Sequence, residues 1–455
     1  MNIAERRSVF SIAGIYALRM LGLFMVLPVF SLYAEGLEGV TPALVGLALG
    51  IYGLTMAIFQ IPFGAFSDRF GRKPIIAVGL ILFAIGSIVA AMSDTIWGVI
   101  IGRALQGSGA IAAAMMALLA DLTREEERTK AMAILGISIG MSFMLSLILG
   151  PFLNNMVGVR GIFWLTAALA LLAIATLYLV VPEPDRSSMH SDVEPVPAKF
   201  KSILKDRQLL RLDMGILTLH GLMMAMFTVL PFVLRDFLDM PSKEHAWFYL
   251  PVLLLSVFGM LPLIIIAEKK QKMREVFILC IALLALSELM LALSHTTFSN
   301  VFLGLLLFFV AYNVLEASLP SLISRLAPVD AKGTAMGVYS TSQFFGAFLG
   351  GAFGGWLYGA AGIEAVFYAC AGIACLWGIL AFGMRVPTYL SSYMAHIEQV
   401  SRQDAEALNV KLLKLPGVHE AKVVAEEEAA YLKVDKRHFK PEDIQHLLRE
   451  AEAKD

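Results

Sequence analysis

The sequence predicts an all-α polytopic membrane protein. Twelve transmembrane helices fall in two pseudo-symmetric six-helix halves, and a small α+β domain follows. Three observations carry this: an apolar composition, twelve stretches of spanning length, and an alternation of basic and non-basic loops. Of the 455 residues, 58% are hydrophobic and 16% charged, against about 45–50% and about 25% in soluble domains. The mean hydropathy is +0.74. A water-soluble enzyme is excluded as the whole chain. A net charge of −1 offers no basic surface for nucleic acid. Cys280, Cys370 and Cys375 all lie in apolar stretches, so they form neither a disulfide framework nor a CxxC metal site.

A spanning helix needs about 20 mostly apolar residues. The pattern places spans at 9–33, 43–66, 74–92, 96–120, 131–157, 161–181, 209–235, 246–267, 275–294, 297–321, 333–358 and 362–385. The first is too long for a signal-peptide core of about 7–15 residues and is expected to stay in the mature chain. One set of loops carries 20 Lys and Arg; the alternate set carries Arg160, Arg235 and Lys243. Basic loops stay in the cytoplasm, so both termini are expected there.

The chain also repeats itself. Phe24–Pro28 (FMVLP) matches Phe227–Pro231 (FTVLP), Arg128–Met132 (RTKAM) matches Lys332–Met336 (KGTAM), Gly150 aligns with Gly354, and Ile61-Pro62-Phe63 aligns with Leu261-Pro262-Leu263. The offsets are all near 203. The expected domains are a six-helix half over 1–181, a cytoplasmic linker over 182–208 rich in proline and charge, a second half over 209–386, and a cytoplasmic domain over 387–455. Two six-span halves facing the same way are a transporter plan.

Between spans 2 and 3 the sequence reads GAFSDRFGRK, Gly64 to Lys73. Gly64 and Gly71 permit close approach and a tight turn. Asp68 could meet the N-terminal dipole of span 11 near Gly333-Thr334, and Arg72 could pair with Asp121. Arg69 and Lys73 add anchoring charge. This loop resembles the signature G-x-x-x-D-R-x-G-R-K of the major facilitator superfamily at every position. Arg103-Ala-Leu-Gln106-Gly107-Ser-Gly109 is similar to that family's R-x-x-Q-G-x-G motif. The resemblance covers residues 9–385. It implies a conformational latch built from Gly64, Asp68, Arg69, Gly71, Arg72, Lys73 and Asp121. It also implies a central cavity lined by spans 1, 4, 7 and 10, with spans 3, 6, 9 and 12 as outer supports. Within the superfamily the chain looks like the drug:proton antiporters. Of their span 5 motif, G-x-x-x-G-P-x-x-G-G, only Gly150 and Pro151 are kept.

Ionisable residues at membrane depth are functional hypotheses by default. Five stand out: Arg19, Arg103, His220, Glu288 and Glu316. Arginine stays protonated in proteins, so Glu316 and His220 are the expected proton carriers, with Arg103 nearby to stabilise the ionised carboxylate. Arg19, Gln60, Gln106, Asn313 and Gln343 are expected to line a substrate cavity. Glu288 is expected near the outer end of a support helix, in water. No phosphate-cradling Gly-Lys-Ser/Thr loop, HExxH or GxSxG occurs, so no enzyme, cofactor or metal is expected.

The expected function is proton-coupled efflux of small molecules by alternating access in a bacterial inner membrane. The alternatives are a metabolite importer and a membrane sensor signalling through its tail. In the tail, Pro387–Ser392 reads as a tether, Tyr393–Val400 as a strand and Gln403–Leu415 as a helix. Val418–Ala425 and Ala429–Val434 read as a hairpin, and a last helix runs from Pro441 to Ala451. The order βαββα suggests a ferredoxin-like domain. Its expected role is to bind a regulatory ligand or to self-associate; with no cysteine it is not expected to bind copper.

Overall fold

The computed structural model describes residues 1–183, 199–328, 331–384, 391–397, 402–425, 429–435, 438–439 and 444. The first span opens on a capping box. Asn2 accepts the Glu5 N–H at 2.8 Å, and Glu5 accepts the Asn2 N–H at 2.7 Å, satisfying two orphan donors at once. Span 1 runs Ile3–Phe24 and then Leu27–Ala34, with Pro28 in the first turn of the second piece. Span 2 is Pro42–Phe70, capped by Thr41 and ended by Gly71 at φ 93°. Span 3 is Arg72–Met92. Span 4 is broken at Gly109 into Ile96–Ser108 and Ala112–Asp121. Spans 7 to 10 are Arg207–Phe232, His245–Lys269, Met273–Leu293 and Phe298–Leu326.

The remaining four spans lie in two long helices, Glu125–Leu179 and Lys332–Ala381. At 1.5 Å per residue, straight helices of this length would measure about 75–83 Å, more than twice a hydrocarbon core of about 30 Å. Each reverses at one glycine in positive φ, Gly158 (67°) and Gly362 (85°), a conformation that costs glycine little. The breaks define spans 5 and 6 (125–157 and 159–179) and spans 11 and 12 (332–361 and 363–381). The two glycines are 204 positions apart, the offset of the sequence repeat. Where the sequence predicts short loops at 158–160 and 359–361, the chain turns within a single residue.

The bundle has a proximal end, with Met1 and the Gly71 turn, and a distal end, with the loops around 35–41 and 238–244. The halves meet at the distal end. A Cβ on Gly46 of span 2 would lie 2.0 Å from the Gly351 carbonyl of span 11, and one on Gly53 would lie 2.4 Å from the Phe344 carbonyl. Small residues admit such backbone contact. Polar bridges join the halves there too. Arg235 of the π-helical turn after span 7 pairs with Glu35 at 3.0 Å, and Asn155 donates to the Lys243 carbonyl at 3.0 Å. The buried apolar side chains follow suit. One cluster unites the second half with the distal part of the first; the buried residues of another all belong to the first half, with Phe344 of span 11 packed against its edge. At the proximal end the described ion pairs Arg72–Asp121, Arg124–Glu5 and Arg325–Glu268 each stay within one half.

The tail forms a sheet of β1 (Ser391–His396), β2 (Val418–Val424) and β3 (Ala429–Val434), ordered β1-β3-β2 and antiparallel throughout. The helix Arg402–Leu412 packs Leu408 and Leu412 onto Ala430, Leu432 and Val434. Both hairpin strands lie where the sequence places them. The first strand starts two residues early, inside the predicted tether, because Ser391 to His396 pair with Val434 to Ala429. Most of the predicted last helix, and residues 184–198 of the linker, lie outside the described residues.

Candidate transport site

The second half gathers four polar side chains at mid-depth. Span 10 supplies Tyr312 and Glu316, one turn apart on one face. Span 7 supplies His220 and span 11 supplies Gln343. The Gln343 amide donates to Glu316 Oε1 at 3.2 Å, and its nitrogen lies 2.9 Å from His220 Nε2. An amide that donates to both leaves Nε2 an acceptor and the imidazole proton on Nδ1, which lies 3.8 Å from Glu316 Oε2. Tyr312 Oη reaches His220 Nε2 at 3.4 Å. From the first half, Phe143 of span 5 stacks on Tyr312 with centroids 5.9 Å apart, and Phe24 of span 1 meets Phe143 edge-on at 5.0 Å. The site therefore sits where the halves touch. The Glu316 side chain is 36% exposed and that of His220 8%, so the carboxyl opens to the cleft and the imidazole seals it from behind.

The first half is built differently. Arg19 and Arg103 are both 1% exposed. Arg19 Nη2 donates to the Gly109 carbonyl at 2.8 Å and its guanidinium lies 5.5 Å from the Phe83 ring centre. The break of span 4 at Gly109 takes that carbonyl out of the helical ladder, and it also accepts the Ile111 N–H at 3.0 Å. Arg103 donates to Gln106 Oε1 at 2.9 Å and to the Ala48 carbonyl at 3.4 Å, and lies over the Tyr52 ring at 5.3 Å. Gln106 in turn donates to Ser87 of span 3 at 2.8 Å. Three sequence expectations change here. Arg19 is sealed in the first half rather than lining a cavity. Arg103 is paired within its own half, not beside Glu316. Glu288 is fully buried, with neither oxygen hydrogen-bonded, instead of standing in water. A desolvated guanidinium takes the nearest carbonyls and ring faces, and here its own half supplies them.

The remaining cavity candidates divide. Gln343 joins the Glu316 cluster. Gln106 is used between spans 3 and 4. Asn313 donates to Ser256 of span 8 at 3.1 Å. Gln60 is buried with Oε1 unpaired.

In the signature loop, Gly71 makes the turn and Arg72 is drawn inward. Arg72 bonds Asp121 Oδ2 at 3.1 Å and Ser67 Oγ at 2.9 Å, and also pairs with Asp68. Lys73 donates to the Val181 carbonyl at 2.7 Å and pairs with Glu183 at 3.0 Å, tying span 3 to the end of span 6. Arg69 lies over the Phe70 ring. A Cβ on Gly64 would lie 3.3 Å from Ala113, so spans 2 and 4 approach closely there. Gly150, followed by Pro151 within the helix, packs against the break of span 1: a Cβ would meet the Met25 carbonyl at 2.3 Å. The aligned Gly354 packs on Ala225 of span 7 in the same way. Sequence reasoning passed over Tyr312, Tyr52, Ser67, Ser87 and Ser256. Tyr312 carried a signal, its spacing of four from Glu316.

Twelve spans in two repeats around a polar mid-depth site define a polytopic membrane transporter. The chain matches the model of the Major Facilitator Superfamily over residues 12–351 and again over 271–393, and that of the YajR YAM domain over 399–449. It is 46% identical over 451 residues to the inner membrane transport protein YajR of Escherichia coli K12, covering 99% of both chains. It is 26% identical over 341 residues to the multidrug resistance protein MdtH of Yersinia enterocolitica, covering 74% of this chain and 84% of that one. A bacterial homolog of the human lysosomal transporter Spinster, solved in an inward-facing and occupied conformation, superposes with a TM-score of 0.71 at 14% identity over 84% of this chain and 97% of that one. The chain belongs to the Major Facilitator Superfamily, and its tail is a YAM domain.

Proposed function

We propose that the protein is a proton-coupled antiporter that exports small molecules from the cytoplasm across the bacterial inner membrane. The observation that carries this reading is the cluster of Glu316, His220, Gln343 and Tyr312, which puts one proton-exchanging carboxyl on the cleft where the halves touch. A neutral carboxyl in an apolar cleft costs little and an ionised one costs much. Glu316 therefore holds a proton or a substrate group by turns, and one excludes the other. His220 takes part in the exchange; Arg103 holds Gln106 and Tyr52 in place as a structural residue of the first half. The loop bias of 20 to 3 makes the proximal end cytoplasmic, so the described conformation is open to the cytoplasm. We take the domain limits as 1–181, 182–208, 209–386 and 387–455. Gly64, Asp68, Arg69, Gly71, Arg72, Lys73 and Asp121 are the latch that changes partners when the proximal end closes. The relation to MdtH supports the export direction and the relation to YajR the inner membrane. The test is an efflux and uptake screen with the protein in proteoliposomes under an imposed pH gradient. A solute that moves against its own gradient only when the proton gradient is present bears the reading out. Movement indifferent to the proton gradient overturns it.

A further inference from the structure

The transport site is open on one side and packed with rings on the other. Span 10 enters at the distal end and reaches the proximal end at Arg325, so Tyr312 stands one turn on the distal side of Glu316. Phe308, one turn further, stacks on Tyr312 with centroids 5.9 Å apart, and Phe309 lies 6.4 Å from Phe227 of span 7. Tyr312 and these three phenylalanines are all buried. Water therefore meets Glu316 from the cleft, where the carboxyl is exposed, and finds aromatic packing behind it.

Those rings all belong to the second half. Among the described residues, the first half sets one ring against Tyr312. That ring is Phe143 of span 5, with centroids 5.9 Å apart and planes 29° apart. Phe24, at the break of span 1, braces Phe143 edge-on at 5.0 Å. Ser146, one turn beyond Phe143, donates to the Leu21 carbonyl of span 1 at 3.3 Å, so spans 1 and 5 hold the ring together. On the other side Tyr312 is steadied by its hydroxyl, 3.4 Å from His220 Nε2. The Phe143–Tyr312 contact thus joins two bodies that must separate for the distal end to open. A stacked aromatic pair is a weak bond that can part and re-form, and an apolar constriction excludes water without any charged group.

We infer that Phe143 is the removable stopper of the transport site: seated on Tyr312, it keeps distal water from Glu316, and it leaves with the first half when the distal end opens. The inference rests on the proton-coupled reading and deepens it. A carboxyl that met water on both sides at once would pass protons without any solute. Truncating Phe143 to alanine uncovers the Tyr312 ring and lets distal water come within a turn of Glu316. The Glu316 O–H bond then breaks to water on one side, and the carboxylate takes a proton from water on the other. The protein is unchanged at the end, and one proton has crossed.

The test needs no transported solute. Liposomes containing the full-length protein and an entrapped pH dye are placed under an imposed pH gradient. The wild type should hold the gradient, and Phe143→Ala should dissipate it several-fold faster. Phe143→Leu, which refills the space with apolar bulk, should be tight and guards against a variant that fails to fold. Adding Glu316→Gln to Phe143→Ala should abolish the leak; a leak that persists runs outside the site and overturns the inference. A second readout involves no proton. In cells, Glu316→Cys should react with a membrane-impermeant thiol reagent from the periplasm several-fold faster once Phe143→Ala is added, with the chain lacking Glu316→Cys as the blank. If labelling rises and no leak appears, the stopper stands and the proton-coupled reading falls. If labelling and leak both stay at their starting levels, the stopper alone falls.

Discussion

The two halves share a backbone plan and differ in chemistry. Gly158 and Gly362 break their long helices at equivalent places, and Gly150 and Gly354 pack on spans 1 and 7 alike. Yet the first half buries two arginines on its own carbonyls and rings, and folds its signature loop around Arg72. The second half buries acids, one of which opens on the cleft, and its corresponding loop, Glu268 to Arg274, has lost the glycines. Backbone geometry is what a repeat preserves, because helix contacts tolerate little change. The side chains between are free to divide the work. On the function proposed above, the first half stiffens and latches, and the second half carries the proton.

The largest expected effect is in the second half. Glu316→Gln keeps size and the Gln343 contact but removes the titrating group, so gradient-driven transport should be lost while counterflow of substrate persists. Normal concentrative transport in this variant would end the division of labour.

Next comes the contact that closes the distal end. In Gly46→Val the new Cβ would meet backbone at 2.0 Å, which no side-chain movement relieves. The halves should part there, and spin-label distances across the distal end should lengthen. Unchanged distances would mean that the spans 2 and 11 contact is not what holds the end shut.

Third, Arg103→Leu should cost about 1–3 kcal/mol of stability, chiefly from stranding Gln106 Oε1, read as a lower unfolding temperature. The folded fraction should remain coupled to protons. Lost coupling at unchanged stability would give the first half a share of the chemistry.

A smaller change in stability is expected from Asp68→Asn. The side chain is 37% exposed and its described partner is Arg72, so the cost should stay within about 1 kcal/mol. Transport should fall all the same, with fewer molecules outward-facing by spin-label distance. Unaltered transport would reduce the loop to a topological anchor.

The smallest effect is a pH response in the charged first turn of the span 5 helix, outside the membrane and ahead of the apolar stretch that starts at Lys130. The Lys130 hydrogen bond lowers the Glu127 carboxyl below its ordinary value of 4.5. Such a group stabilises the fold above its unfolded pKa and loses that contribution as pH falls through the lower folded value. Unfolding temperatures of the wild type and Glu127→Gln should therefore differ at neutral pH and converge in acid; a constant gap would exclude the pair as a source of stability.

Much of the site was legible one residue at a time. Glu316, His220 and Gln343 are polar residues in apolar helices, and polarity at that depth is visible without coordinates. The grouping was legible only in part. Arg103 and Glu316 sit on spans that both line the centre of such folds, which suggested a pair, but a helix of 3.6 residues per turn presents several faces. Which face Arg103 uses depends on Ala48 and Tyr52 of span 2, 55 and 51 positions away. Glu288 fails for a related reason. Its nearness to a helix end suggested water, whereas its burial depends on the elements packed over span 9.

The sequence by itself determined the number of spans, the repeat, the turn at Gly71, the loop charges and the hairpin of the tail. These follow from local causes: hydropathy over about 20 residues, glycine's access to positive φ, and alternation along a strand. Only the tertiary structure decided that the halves close at the distal end, that Arg19 and Arg103 are sealed in one half, and that His220 lies beside Glu316. These depend on which helix faces meet. The free energy of such contacts is shared among residues 50 to 300 positions apart, so no window of sequence contains it.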